Sequence, residues 1–161
     1  MGESFKVFVT KDYLKFSAAH FIAYPGFREA LHGHNYRVSV SIEGDLGPEG
    51  YVVDFGVVKK LARELCGRLD EKILIPAASD VLSVDSADGQ VLLVAESGRF
   101  SFPGSDCVLL PIQHSSAEEL ARYLTEELRD KLKVGGLTGV ASIEVGVEET
   151  PGQTAYYRFD A

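Results

Sequence analysis

Three of the four histidines in this chain fall close together, His20 and then His32-Gly33-His34. Side chains alternate along an extended backbone, so His32 and His34 project from one face. If His20 ends a neighbouring strand, a third imidazole reaches the same place. Three nitrogens converging on one ion with a fourth position open is the ligand arrangement of a catalytic zinc site. Nickel and iron(II) accept the same ligand type, and an H-x-H on a half-exposed strand also describes two ordinary polar residues. Gly33 is expected to let the backbone pass close to the ion. Two further groups could do chemistry. His114 stands alone in a loop, and Glu149 ends an alternating strand just before Pro151-Gly152. A carboxylate there can accept two parallel N–H donors from a guanidine-like edge, as it does from arginine.

The elements that must hold these residues can be read from periodicity. Residues 4 to 20 suggest two short extended segments around a Lys11-Asp12 turn. Tyr36, Val38, Val40 and Ile42 alternate with Arg37, Ser39 and Ser41, which predicts a strand with one solvated or functional face. The turn residues between Gly44 and Gly50 predict a hairpin in which Tyr51 to Val53 pairs back. After Asp54, a good N-cap, the spacing of Val57, Val58, Leu61, Ala62, Leu65 and Leu69 predicts a helix to about Leu69. Ser116 and Glu119 have capping-box spacing at the start of a second helix. Its stripe is Leu120, Leu124, Leu128 and Leu132, and it ends at Gly135-Gly136. Between the helices, 81–84, 91–95 and 100–102 read as an inserted β-meander. Ile143, Val145 and Val147, then 155–159, form a closing hairpin. The expected fold is α+β, an antiparallel sheet with two helices packed on one face, in a single domain spanning 1–161 with a β-rich insertion at about 77–110.

Composition narrows the function. The 161 residues carry 16 Lys+Arg against 24 Asp+Glu, a net charge of −8, with 45% hydrophobic content. That suits one soluble domain with its own core. The acidic balance and the absence of a basic run argue against nucleic acid as a partner. No run approaches the roughly 20 apolar residues of a membrane span, and the polar opening MGESFKVF is unlike a secretory signal. Cys66 and Cys107 read as reduced thiols, so a cytoplasmic location is expected.

The strings FSAAH, LHGHNYRVSVSIEG, YVVDFGVVKKLARELCGRLDEKIL, a Ser/Thr-rich helix start and EETPGQTAYY together resemble the 6-pyruvoyltetrahydropterin and 6-carboxytetrahydropterin synthase family. The likeness spans nearly the whole chain outside about 77–110. It implies zinc held by His20, His32 and His34, and a pterin ring anchored by Glu149, with Ser116 and Thr150 in the substrate-binding set. It also implies the tunnelling fold, in which strands of several subunits close into a barrel with active sites between subunits, so that a homo-oligomer, by resemblance a hexamer, is expected. Such assembly would cover open sheet edges.

Two positions depart from the family pattern. Where the best-known members carry a cysteine base four residues before HGH, this chain has Arg28. Some members of the wider family use a glutamate three residues before HGH, and Glu29 fits that variant, whose chemistry is aldol-type cleavage to a 6-hydroxymethyl-dihydropterin. Partial burial is what equips a carboxylate for such work. The family's Asp-His relay pair reads Asp70-Glu71 here, leaving Asp70 as its remaining half and His114 as the histidine available to replace the other. The implied activity is a zinc-dependent lyase acting on the side chain of 7,8-dihydroneopterin triphosphate or a related dihydropterin, in pterin, folate or deazapurine biosynthesis. The alternative is a pterin- or zinc-binding homologue without turnover. For the insertion, a lid, an interface extension and a passive addition are open readings.

Overall fold

In the computed structural model, which describes residues 2–161, the chain runs β1 (Phe5–His20), β2 (Ala23–Tyr24), β3 (Phe27–Arg28), β4 (His32–Gly44), α1 (Phe55–Leu69), β5 (Lys72–Pro76), β6 (Ser83–Ala87), β7 (Gln90–Ala95), β8 (Gly98–Pro103), β9 (Cys107–Leu110), α2 (Ala117–Val134), β10 (Val140–Thr150) and β11 (Gln153–Asp160). Six strands form the main sheet in the order β11-β10-β4-β1-β5-β9. The helices pack on it side by side, α1 against β1 and β4 and α2 against β10 and β11. The apolar stripes predicted for them supply the core: Val58, Ala62, Leu65 and Leu69 from α1, and Leu120, Leu124, Leu128 and Leu132 from α2. They close over Phe16, Tyr36, Val38, Val40, Ile42, Val145 and Val147 of the sheet. Burying a side chain of this size contributes about 1.5–3 kcal/mol relative to leaving it exposed. No described helix is long and apolar enough to cross a membrane.

Four expectations need correction. The sheet is mixed rather than antiparallel throughout, because β5 runs parallel to β1 and β9 parallel to β5. Both are short apolar segments in which alternation gives no signal, and α1 is the crossover that lets β5 return alongside β1. Cys107–Leu110 therefore belongs to the main sheet, and the inserted meander is β6-β7-β8. Next, the Lys11-Asp12 turn is absent, since β1 is one strand whose register against β4 shifts between Thr10 and Lys15. Finally, Tyr51 to Val53 does not pair back. The strand it would join, β4, already has β1 on one edge and β10 on the other, so its backbone groups are taken. Val52 and Val53 are still buried, against the core rather than in a sheet.

The register shift in β1 carries the site. Val9 lies opposite Val40, whereas Phe16 lies opposite Tyr36 and His20 opposite His32. Val9 and Phe16, an odd number of residues apart, are both buried. Strict alternation would put them on opposite faces, so the irregularity flips the strand once and aims its second half, including His20, at the helix-covered face.

Candidate functional site

His20 and His32 end β1 and begin β4 as direct cross-strand partners, and His34 lies opposite Ala18 one step further in. The three rings meet with centroids 4.8 Å apart for His20 and His32, 5.2 Å for His20 and His34, and 4.9 Å for His32 and His34. One ring nitrogen from each falls within 4.8 Å of the others, close enough for small ring rotations to present all three to one ion. The rings are also oriented from behind. The Nδ1 of His20 meets the Ser115 carbonyl at 2.7 Å, and the Nδ1 of His32 meets the Ala30 carbonyl at 2.7 Å. A carbonyl only accepts, so each Nδ1 carries the hydrogen and each Nε2 keeps its lone pair, the tautomer that ligation requires. The Nε2 atoms of His20 and His34 are buried without a hydrogen-bond partner. Buried nitrogens left open in this way fit a metal ion of the imidazole-preferring kind.

His20 is only 2% exposed. Burial holds its pKa below the ordinary 6.5, and His32 and His34 push the same way, against the opposing pull of the Ser115 carbonyl and Glu149. The unfolded chain therefore binds this proton more readily than the folded one. The stability contributed by keeping His20 neutral is complete above about pH 6.5 and is lost as pH falls from there through the folded pKa. Metal-free protein is expected to show a urea midpoint that declines between about pH 7 and pH 5.5. A His20→Asn variant should lack that part of the slope, and identical slopes in the two proteins would refute the assignment.

Glu149 continues the inward row of Ile143, Val145 and Val147 on β10, and its Oε1 comes within 3.4 Å of the His34 Nε2. Glu29 follows the β2-β3 hairpin. Its backbone N–H donates to the Ile22 carbonyl at 2.9 Å, and its Oε1 accepts from the Ile22 N–H at 2.8 Å. His20, Glu29, Glu149 and Ser116 line one cavity of about 350 Å³, together with Ile22, Glu118, Gln153 and Thr154. One imidazole of the cluster, a carboxylate at the hairpin and a second carboxylate at a strand end thus face a single space.

The remaining expected residues lie elsewhere in the protomer. Thr150 turns its hydroxyl to Gln153 at 2.9 Å, outside the cavity lining. Asp70 accepts from the Ser17 N–H at 2.9 Å and lines a separate hollow with Ser17, Asn35 and Arg37. Phe16 of β1 and Arg63, Cys66 and Gly67 of α1 line the same hollow, so it lies between β1 and α1 and shares no lining residue with the His20 cavity. His114 is absent from the cavity lining, and its backbone N–H donates to the Glu119 Oε2 at 2.8 Å. Neither cysteine reaches the site: Cys66 sits in the core with burial pushing its thiol up to about 12, and Cys107 is on β9. A Cβ at Gly33 would meet the Ala18 carbonyl oxygen at 3.0 Å, so the close pairing of β1 and β4 at this point itself favours glycine.

Three contributors escaped the sequence reading. Tyr36 is fully buried, next in the inward row after His34, and its hydroxyl has no partner. Burial, with Glu149 and Glu29 nearby, pushes that phenol upward. Its place was legible from alternation, yet the aromatic ring read simply as core. The Ser115 carbonyl, which orients His20, gives no sequence signal at all. Glu119 was legible as a capping residue, and the Ser116 hydroxyl does accept from its N–H at 3.3 Å. Its carboxylate, however, reaches further back, to the N–H groups of Gln113 and His114 at 2.9 and 2.8 Å, and so steadies the loop that presents Ser115.

Comparison with known proteins agrees with this geometry. A family model described as 6-pyruvoyl tetrahydropterin synthase matches residues 9–160. A protein of Methanocaldococcus jannaschii, provisionally named 6-carboxy-5,6,7,8-tetrahydropterin synthase, is 36% identical over 146 residues, covering 90% of this chain and 90% of that one. The Plasmodium vivax 6-pyruvoyl tetrahydropterin synthase superposes with a TM-score of 0.94 at 37% identity, covering 99% of this chain and 100% of that one. A variant of it with a glutamate replaced by alanine is described as a catalytic residue mutant. The dihydroneopterin monophosphate aldolase of Pyrococcus furiosus is 30% identical over 89 residues, which is 55% of this chain and 73% of that one.

Proposed function

Because the chain belongs to the 6-pyruvoyl tetrahydropterin synthase family, a family of pterin-forming lyases, we propose that it is a zinc-dependent lyase that cleaves the side chain of a phosphorylated 7,8-dihydroneopterin with Glu29 as base. The observation that carries this reading is the shared cavity, in which His20, Glu29 and Glu149 face one space while no cysteine lines it. His20 and His32 would hold the metal through the Nε2 left open by their backbone contacts, and His34 through its buried, unpartnered Nε2. Zinc bound there supplies a Lewis acid that makes a neighbouring hydroxyl more acidic and offsets developing negative charge.

The chain's own residues do the rest. Glu149 accepts the coplanar 2-amino and N3 donors of the pterin and orients the ring, with Ser116 at the cavity wall. Glu29 takes the proton from the C2′ hydroxyl. The C1′–C2′ bond then breaks, its electron pair passes into the dihydropterin ring system, and a proton returned to C1′ yields 6-hydroxymethyl-7,8-dihydropterin and an aldehyde. General base catalysis of this kind supplies about 10²–10⁴ in rate. The aldolase named in Pyrococcus furiosus supports this product, and the catalytic glutamate ascribed to the Plasmodium vivax 6-pyruvoyltetrahydropterin synthase supports a glutamate in the catalytic role. Formation of a 6-carboxy or 6-pyruvoyl product is the second reading, favoured by the name of the Methanocaldococcus jannaschii relative. Asp70 and His114, outside this protomer's cavity, would serve the chemistry only across a subunit boundary, in the homo-oligomer that the family resemblance implies.

The test is product analysis. Zinc-loaded protein incubated with 7,8-dihydroneopterin triphosphate, and separately with the monophosphate, is expected to release 6-hydroxymethyl-7,8-dihydropterin from at least one of them. A carboxy or pyruvoyl pterin at comparable turnover would transfer the assignment to the second reading. Tight pterin binding without any product would establish a binding protein instead.

A further inference from the structure

The inserted sheet β6-β7-β8 builds a second, smaller core of its own. Leu82, Val91 and Leu93 are buried there against Phe21, Ala23 and Ile75, with Phe100 and Phe102 packed at the margin. Phe21 and Ala23 flank Ile22, the residue whose N–H meets the Glu29 carboxylate. The insertion therefore rests on the segment that carries Glu29, and it is tied to that segment by specific contacts. The Arg28 guanidinium lies 5.1 Å from the centre of the Phe100 ring and 5.6 Å from that of Phe21, and those two rings are stacked at 5.0 Å. Its Nε donates to the Ser97 Oγ at 3.0 Å, and its Nη1 donates to the Glu29 carbonyl at 2.9 Å. On the other side of the hairpin the Gly26 N–H donates to Glu96 at 3.2 Å. The insertion thus grips the hairpin at both ends of its second arm, immediately before Glu29.

A two-residue strand pair such as β2-β3 is too short to hold its own geometry in water. A catalytic carboxylate has to be held to within about half an ångström of its working position by groups that are themselves fixed. Arginine suits that task because its rigid fork bonds two acceptors while its face stacks on an aromatic ring. We propose that the insertion is a clamp that sets the position of the Glu29 carboxylate, with Arg28 as the positioning residue through which it acts. The proposal rests on Glu29 as base, and it gives a role to the first departure: a positioning arginine occupies the cysteine position next to the carboxylate that serves in its place.

The test separates positioning from mere support. Arg28→Ala is expected to lower kcat about tenfold with KM within roughly twofold of the parent. In a Glu29→Gln background the same change should alter the residual rate by less than about twofold, because a residue that acts through Glu29 has no base left to position. An equal fall in both backgrounds, or a kcat unchanged by Arg28→Ala, overturns the proposal. If Arg28→Ala does not fold, Ser97→Ala removes one exposed acceptor of the clamp and is expected to lower kcat roughly threefold, and no loss there overturns the proposal. If the parent protein turns over neither dihydroneopterin phosphate, the assignment of function has failed and the clamp is judged by hydrogen exchange instead. The Ile22 and Glu29 amides should then exchange about tenfold faster in Arg28→Ala while α1 and α2 keep their protection, and unchanged exchange at those two amides counts against it.

Discussion

Replacing His34 with alanine is expected to strip the protein of zinc and reduce turnover by about 10³-fold, the equivalent of the several kcal/mol that a Lewis acid contributes at such a centre. His34 is a better target than His20. The His20 ring is almost wholly buried and satisfies the Ser115 carbonyl, so its removal leaves a cavity and an orphaned acceptor that destabilise the fold for reasons unrelated to metal. His34 is partly exposed, and its Nε2 has the Glu149 carboxylate at 3.4 Å but no hydrogen-bond partner among the described residues. Zinc content by elemental analysis and turnover should fall together. Chelator treatment of the parent should reproduce the loss, and added zinc should reverse it in the parent but not in the variant. Full turnover by rigorously metal-free parent protein would end the zinc assignment.

Glu29→Gln is expected to lower turnover by about 10²–10⁴-fold while zinc content and melting temperature stay at parent values. The substitution is chosen for what it preserves. A carboxamide oxygen can still accept from the Ile22 N–H, which the Glu29 Oε1 does at 2.8 Å, so the hairpin keeps its bond and only the capacity to take a proton is lost. KM should change little, because the proposed anchor of the pterin ring is Glu149. If Glu29→Gln retains parent turnover the base lies elsewhere. His114 is then the next residue to replace, and loss of activity in His114→Ala with zinc retained would identify it.

The parts of this molecule legible in its sequence are those set by local periodicity. The α2 stripe from Leu120 to Leu132 and most of the α1 stripe bury the residues that spacing predicted, although Val57 at the start of α1 is exposed, and Asp54 and Ser116 cap the two helices. His32 and His34 had to share a face once their segment was extended. Glu149 falls at the next alternate position after Ile143, Val145 and Val147. Each of these follows from the 3.6- and 2-residue repeats of helix and strand, which neighbours in space do not alter.

What depended on the tertiary structure is how those rows meet. The hairpin expected at Tyr51 to Val53 fails because β1 and β10 occupy both edges of β4, a fact about strand order that no local window contains. The short β5 and β9 join in parallel through contacts distant in sequence. The shift between Thr10 and Lys15 decides that His20 faces His32 and His34 rather than away from them. Main-chain carbonyls of Ser115 and Ala30 choose the imidazole tautomers, and backbone carries no residue-type signature. Residue types and spacing thus determined which side chains could form the centre, because chemistry and periodicity are local. Register, strand order and backbone acceptors are long-range properties, and the tertiary structure alone decided that three imidazoles and two carboxylates gather at one end of the sheet.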